Sequence, residues 1–387
     1  MIAVDLPRGF TCSVSNIGIK DTTDDLVVIA AAERCAASAV FTQSRFAGPS
    51  VIISRENIGD LSARAVVVIS KNANVATGDV GLANAHTVIN GVADALHCAP
   101  DDVLIASTGV IGRQYPMDRV DAGLAALTYP FTTTDAGSAA AGIMTTDTVA
   151  KVASATVAGS TARVVGIAKG VGMIEPNMAT LISLVFTDAL VAPVDLDQVF
   201  RSVIDRTLNC VSIDTDTSTS DTAIVMASGL AAAVSLPAFE DALFEVLVSL
   251  TRQVARDGEG AEKLIEVRVD GARDAAQAKR VAKSIVNSPL VKTAVHGADP
   301  NWGRVAMAIG KCSDESDILE ENVVIRFGTQ ECFPMQVDDI GLAALSEYLH
   351  SDTVLIHVSL GIADGAATVW GCDLTDGYIR INADYTT

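Results

Sequence analysis

Aromatic residues, cationic side chains and long apolar runs are all scarce in this chain. Aromatic residues make up 4% of its 387 residues although hydrophobic residues reach 49%, so the core must consist mainly of Ala, Val, Leu and Ile. Lys and Arg number 27 against 47 Asp and Glu, a formal net charge of −20 that argues against nucleic-acid binding. Apolar runs such as 223–234 are interrupted by Ser and Gly and are too short to span a bilayer.

Cysteine and histidine are sparse as well. The seven cysteines are scattered without a CxxC pair, and the five histidines are dispersed. An odd, dispersed set of cysteines is typical of reduced thiols in a cytoplasmic protein, and a zinc site has little support. The first residues, MIAVDLPRGF, lack the basic and then apolar pattern of a secretory signal. The sequence therefore predicts a cytoplasmic protein with no membrane segment and no metal.

The hydrophobic pattern alternates between strands and helices, which indicates an α/β fold with more than one domain. Strands are predicted at 65–70, 103–107 and 263–270, and helices at 81–96 and 275–286. Two further helices have recognisable ends. Asp195 is expected to cap one of them, and the other has Pro237 near its first turn and stops near Asp257-Gly258.

Common cofactor and nucleophile motifs are missing or incomplete. The glycines of KGVGMI (169–174) do not form GxGxxG, and neither a GxSxG elbow nor a phosphate loop occurs. HGADPNWGR (296–304) contains a histidine and an aspartate without partner ligands, so it is a weak signal for a metal site or a catalytic triad. Its Asp299-Pro300-Asn301 is expected to be a structural turn that caps a helix over 305–309.

The most informative segment is KGVGMIEPNMATLISLVFTD (169–188), where a glycine-rich loop with Pro176 leads into an apolar strand. If the Ala179–Thr180 bond breaks, Thr180 carries a free α-amine beside its own hydroxyl, so that one residue holds both nucleophile and base. With a reference pKa of ~7.7–8.0, about a sixth of such amines are neutral at pH 7, against about one lysine in 2,500. Taken alone, the residues favour a simpler alternative, in which Thr180 is a β-branched residue that opens a strand.

Seven segments together carry a resemblance to a known family. They are GMIEPNMATLISLVFTDA (172–189), IASTGVIGRQYPM (105–117), MTTDT (144–148), DTDTSTSDTA (214–223), DGEGAEKLIEV (257–267), AVHGADPNWGRVAMAIG (294–310) and INADYTT (381–387). In this order they resemble the ornithine acetyltransferase family, also called glutamate N-acetyltransferase or the arginine-biosynthesis bifunctional protein. The resemblance runs from about Pro7 to Thr387.

The resemblance implies an α/β fold of the self-processing type with an N-terminal threonine nucleophile. Stacked sheets flanked by helices would form a main catalytic domain of residues 1–265. A smaller C-terminal α/β domain, 266–387, would send its tail back to the active site. Cleavage would give an α chain of residues 1–179 and a β chain of 180–387, which would stay associated as an α2β2 heterotetramer.

The resemblance also implies a role for individual residues. Thr180 would be the nucleophile and Ala179 the residue before the cut, while Thr108 and Gly109 would form the oxyanion hole. The residues that would contact substrate are Thr146, Lys169, Thr180, Glu259, Asn382 and Thr387. Lys169 would meet the α-carboxylate shared by the substrates, and Glu259 could pair with a substrate ammonium.

The implied reaction moves an acetyl group from N-acetylornithine to glutamate by way of an acyl-Thr180 intermediate, and it requires no cofactor. Ornithine and N-acetylglutamate would be the products of this ping-pong relay. No sequence signal supports the second family activity, which uses acetyl-CoA.

Some residues depart from the family pattern. Lys71 stands where a glycine commonly precedes NAN, and Glu175 and Leu181 replace Ala and Met in the loop before and after the junction. With the STGVIGRQYPM segment and the YTT ending, these features resemble the branch associated with clavulanic-acid gene clusters. The pathway, arginine or clavam, therefore stays open.

Two rival functions stay open at this point. A related self-processing aminopeptidase or amidase would use the same kind of N-terminal nucleophile but would release acetate without needing glutamate. A non-enzymatic α/β binding protein, in which Thr180 is only structural, would remain a single chain.

Overall fold

Val-, Ile-, Leu- and Ala-rich segments form the strands of two sheets in a computed structural model that describes residues 4–175 and 181–384. The strands are β1 (Phe10–Ser15), β2 (Leu26–Phe41), β3 (Ser62–Ile69), β4 (Val103–Ser107), β5 (Lys151–Thr156), β6 (Arg163–Lys169), β7 (Ile182–Thr187), β8 (Thr222–Ala227), β9 (Leu264–Ala272), β10 (Val324–Phe327), β11 (Gln330–Phe333), β12 (Thr353–Ser359) and β13 (Gly365–Cys372). The predicted α/β class is confirmed.

Helices connect most of these strands. They are α1 (Pro49–Asn57), α2 (Gly78–Leu96), α3 (Met117–Ala125), α4 (Ala136–Ile143), α5 (Pro193–Arg206), α6 (Leu236–Arg256), α7 (Ala275–Val286), α8 (Pro289–His296), α9 (Trp302–Gly310), α10 (Asp339–Leu349) and α11 (Asp376–Asp384). Within the described ranges, none of them combines the length and the apolar character needed to cross a bilayer.

Two compact units divide the chain. The first unit comprises the described residues within 1–170, 176–209 and 217–250, and the second those within 171–175, 210–216 and 251–387. The first unit holds the larger sheet, in the order β4-β3-β2-β8-β7-β6-β5, with β1 added beside β2. The second unit holds a five-stranded sheet in the order β11-β10-β12-β9-β13.

Strand β7 is the part of the larger sheet that matters most for the candidate site. Its sequence, ISLVFT, is buried at every position, which suits a strand covered on both faces. It pairs antiparallel with β6, where Lys169 lies opposite Ile182, and parallel with β8, where Thr222 lies opposite Ile182. The start of β7 therefore lies between the end of β6 and the start of β8.

Alanine and branched aliphatic residues fill the first unit on both faces of its sheet, as the low aromatic content requires. One cluster contains Ile167, Leu184 and Phe186 together with residues of α4. The other packs Val67 and Ile105 against α2. These clusters hold the strands that carry the candidate site residues.

The predicted strands and helices are found close to their expected positions, with one correction at a helix start. α5 begins at Pro193 with Ala192 as its N-cap, and Asp195 lies in the first turn. The expectation that Asp195 caps this helix was wrong, because proline at the first helical position already fixes the start. The Asn301 side chain does cap α9, accepting a hydrogen bond from the backbone N–H of Arg304 at 3.3 Å.

Candidate active site

The predicted cleavage junction, Ala179–Thr180, lies outside the described residues, as does the predicted substrate contact Thr387. Both flanks of the junction are described. Glu175 is half-buried, and Leu181 is buried immediately before β7. The site is therefore built from the residues around these flanks.

The predicted oxyanion turn follows β4 and is held against residue 71. The Val110 N–H donates to the Lys71 carbonyl oxygen at 3.0 Å. Gly109 has φ +131°, and a Cβ there would lie 2.1 Å from the carbonyl carbon of Lys71, so only glycine fits. Gly109 is exposed, and among the described residues no acceptor contacts its N–H. This N–H is thus a ready hydrogen-bond donor.

Thr108 supplies a second donor beside Gly109. The ammonium group of Lys169, at the end of β6, donates to Thr108 Oγ1 at 3.1 Å. Since a lysine ammonium can only donate, the Thr108 oxygen accepts, and the hydroxyl hydrogen is left to point elsewhere. Lys169 is only 8% exposed, so its charge acts in a low-dielectric setting. The structure thus brings three of the predicted site residues together.

Asp147 ties the turn that contains Thr146 to the end of β6. Its Oδ1 accepts hydrogen bonds from the Gly170 N–H at 2.6 Å and from Lys151 Nζ at 2.7 Å. Its Oδ2 accepts from the Thr145 N–H at 3.1 Å. Thr146, between these anchored residues, is exposed. The carboxylate therefore fixes the main chain on both sides of a predicted substrate contact.

Charge keeps Asp147 ionised despite its burial. Burial alone raises its pKa, but the Lys169 and Lys151 ammonium groups and the hydrogen bond from Gly170 outweigh burial and hold the pKa below its usual range. Burial lowers the pKa of nearby Lys20 to about 8; Lys169 acts in the same direction, while Asp25 and Asp24 oppose it. Three ammonium groups therefore lie near the carboxylate of Asp147.

The Asp147→Asn variant is expected to lose stability because it removes the charge that pairs with the fully buried Lys151 ammonium. Breaking a buried pair from one side costs about 3–5 kcal/mol of unfolding free energy, which urea titration measures. Asp121→Asn, an exposed acid on α3, is the control and should stay within about 0.5 kcal/mol of the wild type. A loss below about 1 kcal/mol in Asp147→Asn would contradict this account of the pair.

The sign of the pH effect follows from the lowered pKa of Asp147. A lowered folded-state pKa contributes stability above the unfolded value of ~3.9, and that contribution disappears as the pH falls through the folded value. The wild type should therefore lose more stability in acid than Asp147→Asn does.

Two predicted substrate contacts meet in the second unit. Asn382, on α11, donates from Nδ2 to Glu259 Oε2 at 2.9 Å. The Glu259 N–H donates to the Val171 carbonyl oxygen at 2.8 Å, and a Cβ on Gly172 would lie 2.6 Å from the Glu259 carboxylate. The carboxylate of Glu259 is thus packed against the segment that leads to the junction.

The start of α11 is also fixed by contacts with the rest of the second unit. Thr375 Oγ1 donates to the Gly260 carbonyl oxygen at 2.7 Å, and Gly260 has φ +70° with the main chain of Gly377 and Tyr378 close against it. The described part of the chain's last residues is therefore a docked helix.

One group of side chains in the described residues has the composition of a metal site: Glu262, His296 and Asp373. Asp373 Oδ1 accepts from the N–H groups of Glu262 and Lys263 at 2.9 Å each, and Oδ2 lies 3.2 Å from His296 Nδ1. Hydrogen bonds within the protein explain this arrangement.

Several residues of this site were not predicted from the sequence. Asp147 lies inside the MTTDT motif directly after Thr146, and its acidic side chain between threonines was an available signal. Lys151 and Lys20 carry no motif and emerge only from the fold. Asp221 belongs to the DTDTSTSDTA segment, for which the sequence predicted no role.

Comparisons with known proteins cover the whole chain. The model of the ArgJ family matches residues 11–387. Arginine biosynthesis bifunctional protein ArgJ 2 of Nostoc sp. is 55% identical over 387 residues, and the match covers 100% of each chain. Glutamate N-acetyltransferase Oat2 of Streptomyces clavuligerus is 56% identical over 387 residues, and the match covers 98% of each chain. A crystal structure of arginine biosynthesis bifunctional protein argJ from Bacillus halodurans is 40% identical with a TM-score of 0.49, covering 52% of this chain and 98% of its own.

Proposed function

The chain belongs to the ArgJ family of arginine-biosynthesis acyltransferases, and on that premise we propose that it moves the acetyl group of N-acetylornithine to glutamate. The observation that carries the proposal is the placement of Lys169 Nζ 3.1 Å from Thr108 Oγ1, beside the exposed N–H of Gly109. Two donors at one point suit the oxyanion of an acyl-transfer intermediate. Membership of an enzyme family removes the non-enzymatic alternative.

Maturation comes first in the proposed sequence of events. The Thr180 hydroxyl attacks the carbonyl carbon of Ala179, and its proton passes to the Thr180 nitrogen as the peptide C–N bond breaks. Water then hydrolyses the resulting ester, which gives chains 1–179 and 180–387. The Thr180 hydroxyl and its new α-amine are then the nucleophile and the base.

The sheet of the first unit supports continued association of the two chains. Strand β6 of the first chain is hydrogen-bonded to β7 of the second, and β2 is hydrogen-bonded to β8. A break at the junction leaves these ladders untouched. We propose an α2β2 heterotetramer, which the family resemblance implies.

Turnover would proceed as a covalent relay. Thr180 Oγ attacks the acetyl carbonyl of N-acetylornithine, the N–H of Gly109 and the Thr108 hydroxyl stabilise the oxyanion, and ornithine leaves with the proton taken up by the α-amine. Glutamate then enters and removes the acetyl group from Thr180 as N-acetylglutamate. The relay exchanges one amide for another and needs no cofactor.

Substrate recognition would use charge at both ends of the amino acid. Lys169 is proposed to bind the α-carboxylate that both substrates share, with Thr146 in the turn that Asp147 fixes. Glu259, held by Asn382, is proposed to pair with a substrate ammonium. We also propose a cytoplasmic location, which the dispersed cysteines support. A role in clavam synthesis beside arginine biosynthesis is proposed on the family resemblance.

Initial-rate kinetics test the proposed reaction. With N-acetylornithine and glutamate both varied, double-reciprocal plots should be parallel, and labelled ornithine should exchange into N-acetylornithine without glutamate. A self-processing amidase, the remaining alternative, would instead release acetate at the same rate with or without glutamate. Glutamate-independent acetate release would overturn the transferase assignment.

A further inference from the structure

The acidic segment, defined as Asp214–Asp221, contacts the chain on both sides of the cleavage junction. Before the junction, its contacts are with residues 173–175 in the second unit; after the junction, its contact is with Leu181 in the first unit. The proposed function assigns no task to this segment, and its geometry is specific enough to suggest one.

Both carboxylate oxygens of Asp214 accept hydrogen bonds from the chain just before the junction. Oδ2 accepts from the Met173 N–H at 2.7 Å, and Oδ1 accepts from the Ile174 N–H at 2.7 Å. The Glu175 N–H donates to the main-chain oxygen of Asp216 at 2.8 Å. Charge-assisted bonds to two successive amides are strong and directional. The main chain is therefore fixed up to residue 175.

Asp221, the residue immediately before β8, contacts the downstream flank. Its carboxyl group accepts a hydrogen bond from the N–H of Leu181, and the Thr222 N–H donates to the Leu181 carbonyl oxygen at 3.0 Å. Asp221 is 2% exposed, and its Oδ2 has no hydrogen-bond partner among the described residues. Burial raises its pKa well above the usual range, although bonds from Ser218 and Leu181 and the Lys169 charge oppose this. A buried carboxyl oxygen that no described residue satisfies needs a physical or functional reason.

The acidic segment is itself anchored. Thr42 donates from its N–H to the Asp221 carbonyl oxygen at 3.0 Å and from Oγ1 to the Ser218 carbonyl oxygen at 2.7 Å. The Gly48 N–H donates to the Thr219 carbonyl oxygen at 3.0 Å. The end of the segment that carries Asp221 is therefore fixed by hydrogen bonds to the main chain.

We propose that Asp214 and Asp221 are positioning residues for self-cleavage, one holding the chain before the junction and the other holding it after. This inference rests on the proposed cleavage at Ala179–Thr180. Attack by a hydroxyl on a neighbouring carbonyl needs the two groups about 3–3.5 Å apart, and loss of that alignment can cost about 10²-fold in rate. The hydrogen bonds of Asp214 fix residues 173 and 174 of the described upstream flank, and those of Asp221 and Thr222 fix Leu181 of the downstream flank.

The test follows cleavage of freshly synthesised full-length chain by denaturing electrophoresis over time. Asp214→Ala and Asp221→Ala are expected to slow cleavage by about 10- to 100-fold. Asp221→Asn keeps a carbonyl oxygen for the Leu181 N–H and should cleave within about threefold of the wild type. Asp216→Ala is the matched control, because it removes an exposed acid of the same segment and keeps the main-chain contact with Glu175.

Folding is separated from positioning by placing each substitution in a Thr180→Ala background, where no chain is cut. If the aspartates only position the junction, these double variants should show a native far-UV circular dichroism spectrum and cooperative unfolding. If Asp221→Ala does not fold, the cleavage rate of Asp221→Asn tests the proposal instead. Slow cleavage in this folded variant would show that accepting the Leu181 N–H is not what residue 221 contributes. Wild-type rates in both alanine variants also overturn the proposal. A wild type that is never cut refutes the proposed maturation itself, which is a different result.

Discussion

The Thr180→Ala protein is expected to stay a single 40.1 kDa chain and to lose acetyl transfer. Removing the nucleophile of a covalent enzyme costs about 10⁴-fold or more in kcat, and here the same residue is also proposed to cut the chain. Denaturing electrophoresis and the coupled assay with N-acetylornithine and glutamate measure both effects. Thr180→Ser keeps a hydroxyl and should retain part of each.

Thr87→Ala is the control for this prediction, because Thr87 is an exposed threonine on α2. It should be cut and should turn over like the wild type. If Thr180→Ala were cut at the same rate as the wild type, the nucleophile would have to be another residue.

The second large effect is expected for Gly109→Ala. A Cβ at this position would lie 2.1 Å from the carbonyl carbon of Lys71, and φ is +131°, so the turn must move and carry the N–H of residue 109 with it. Loss of one oxyanion donor typically costs about 10²–10³-fold in kcat. The measurement is kcat for acetyl transfer with saturating substrates.

Gly112→Ala separates the steric effect from backbone strain. Gly112 also has a positive φ, +81°, but apart from its chain neighbours no heavy atom of the described residues lies within 4 Å of the position its Cβ would take. This variant should lose about 1–2 kcal/mol of stability and keep its kcat within about threefold. Equal losses of kcat in the two variants would count against a specific role for the Gly109 N–H.

Local sequence signals predicted the elements of this fold well, and one helix start shows their limit. Helix α7 was found at its predicted position because its apolar residues recur with the helical period, and β4 was found where its short continuous apolar run predicted a buried strand. The start of α5 was misassigned because the sequence offers two start signals, Pro193 and Asp195. The helix begins at Pro193, since proline is favoured at the first helical position.

The candidate site depends on pairings that no local pattern specifies. Lys151 and Asp147 are only four residues apart, but they lie beside Lys169 because β5 and β6 pair with Lys151 opposite Ala168. Asp221 reaches Leu181 because β7 and β8 are parallel and pair Ile182 with Thr222, forty positions later in the chain. Register of this kind is set by the packing of the whole sheet.

The resemblance identified residues, but the structure gives physical reasons for them. Gly109 is required because the main chain of Lys71 occupies the space of a side chain. Asn382 was expected to contact substrate, and it is found bound to Glu259, a second predicted contact. The substrate roles of both stay predictions.

Intact-mass analysis of the purified wild-type protein, combined with the transfer assay on the same sample, tests the central claim most directly. The account predicts two masses, those of residues 1–179 and 180–387, with Thr180 at the amino terminus of the second chain and activity in proportion to the cut fraction. Full activity in a sample that shows only the continuous 40.1 kDa chain would contradict it.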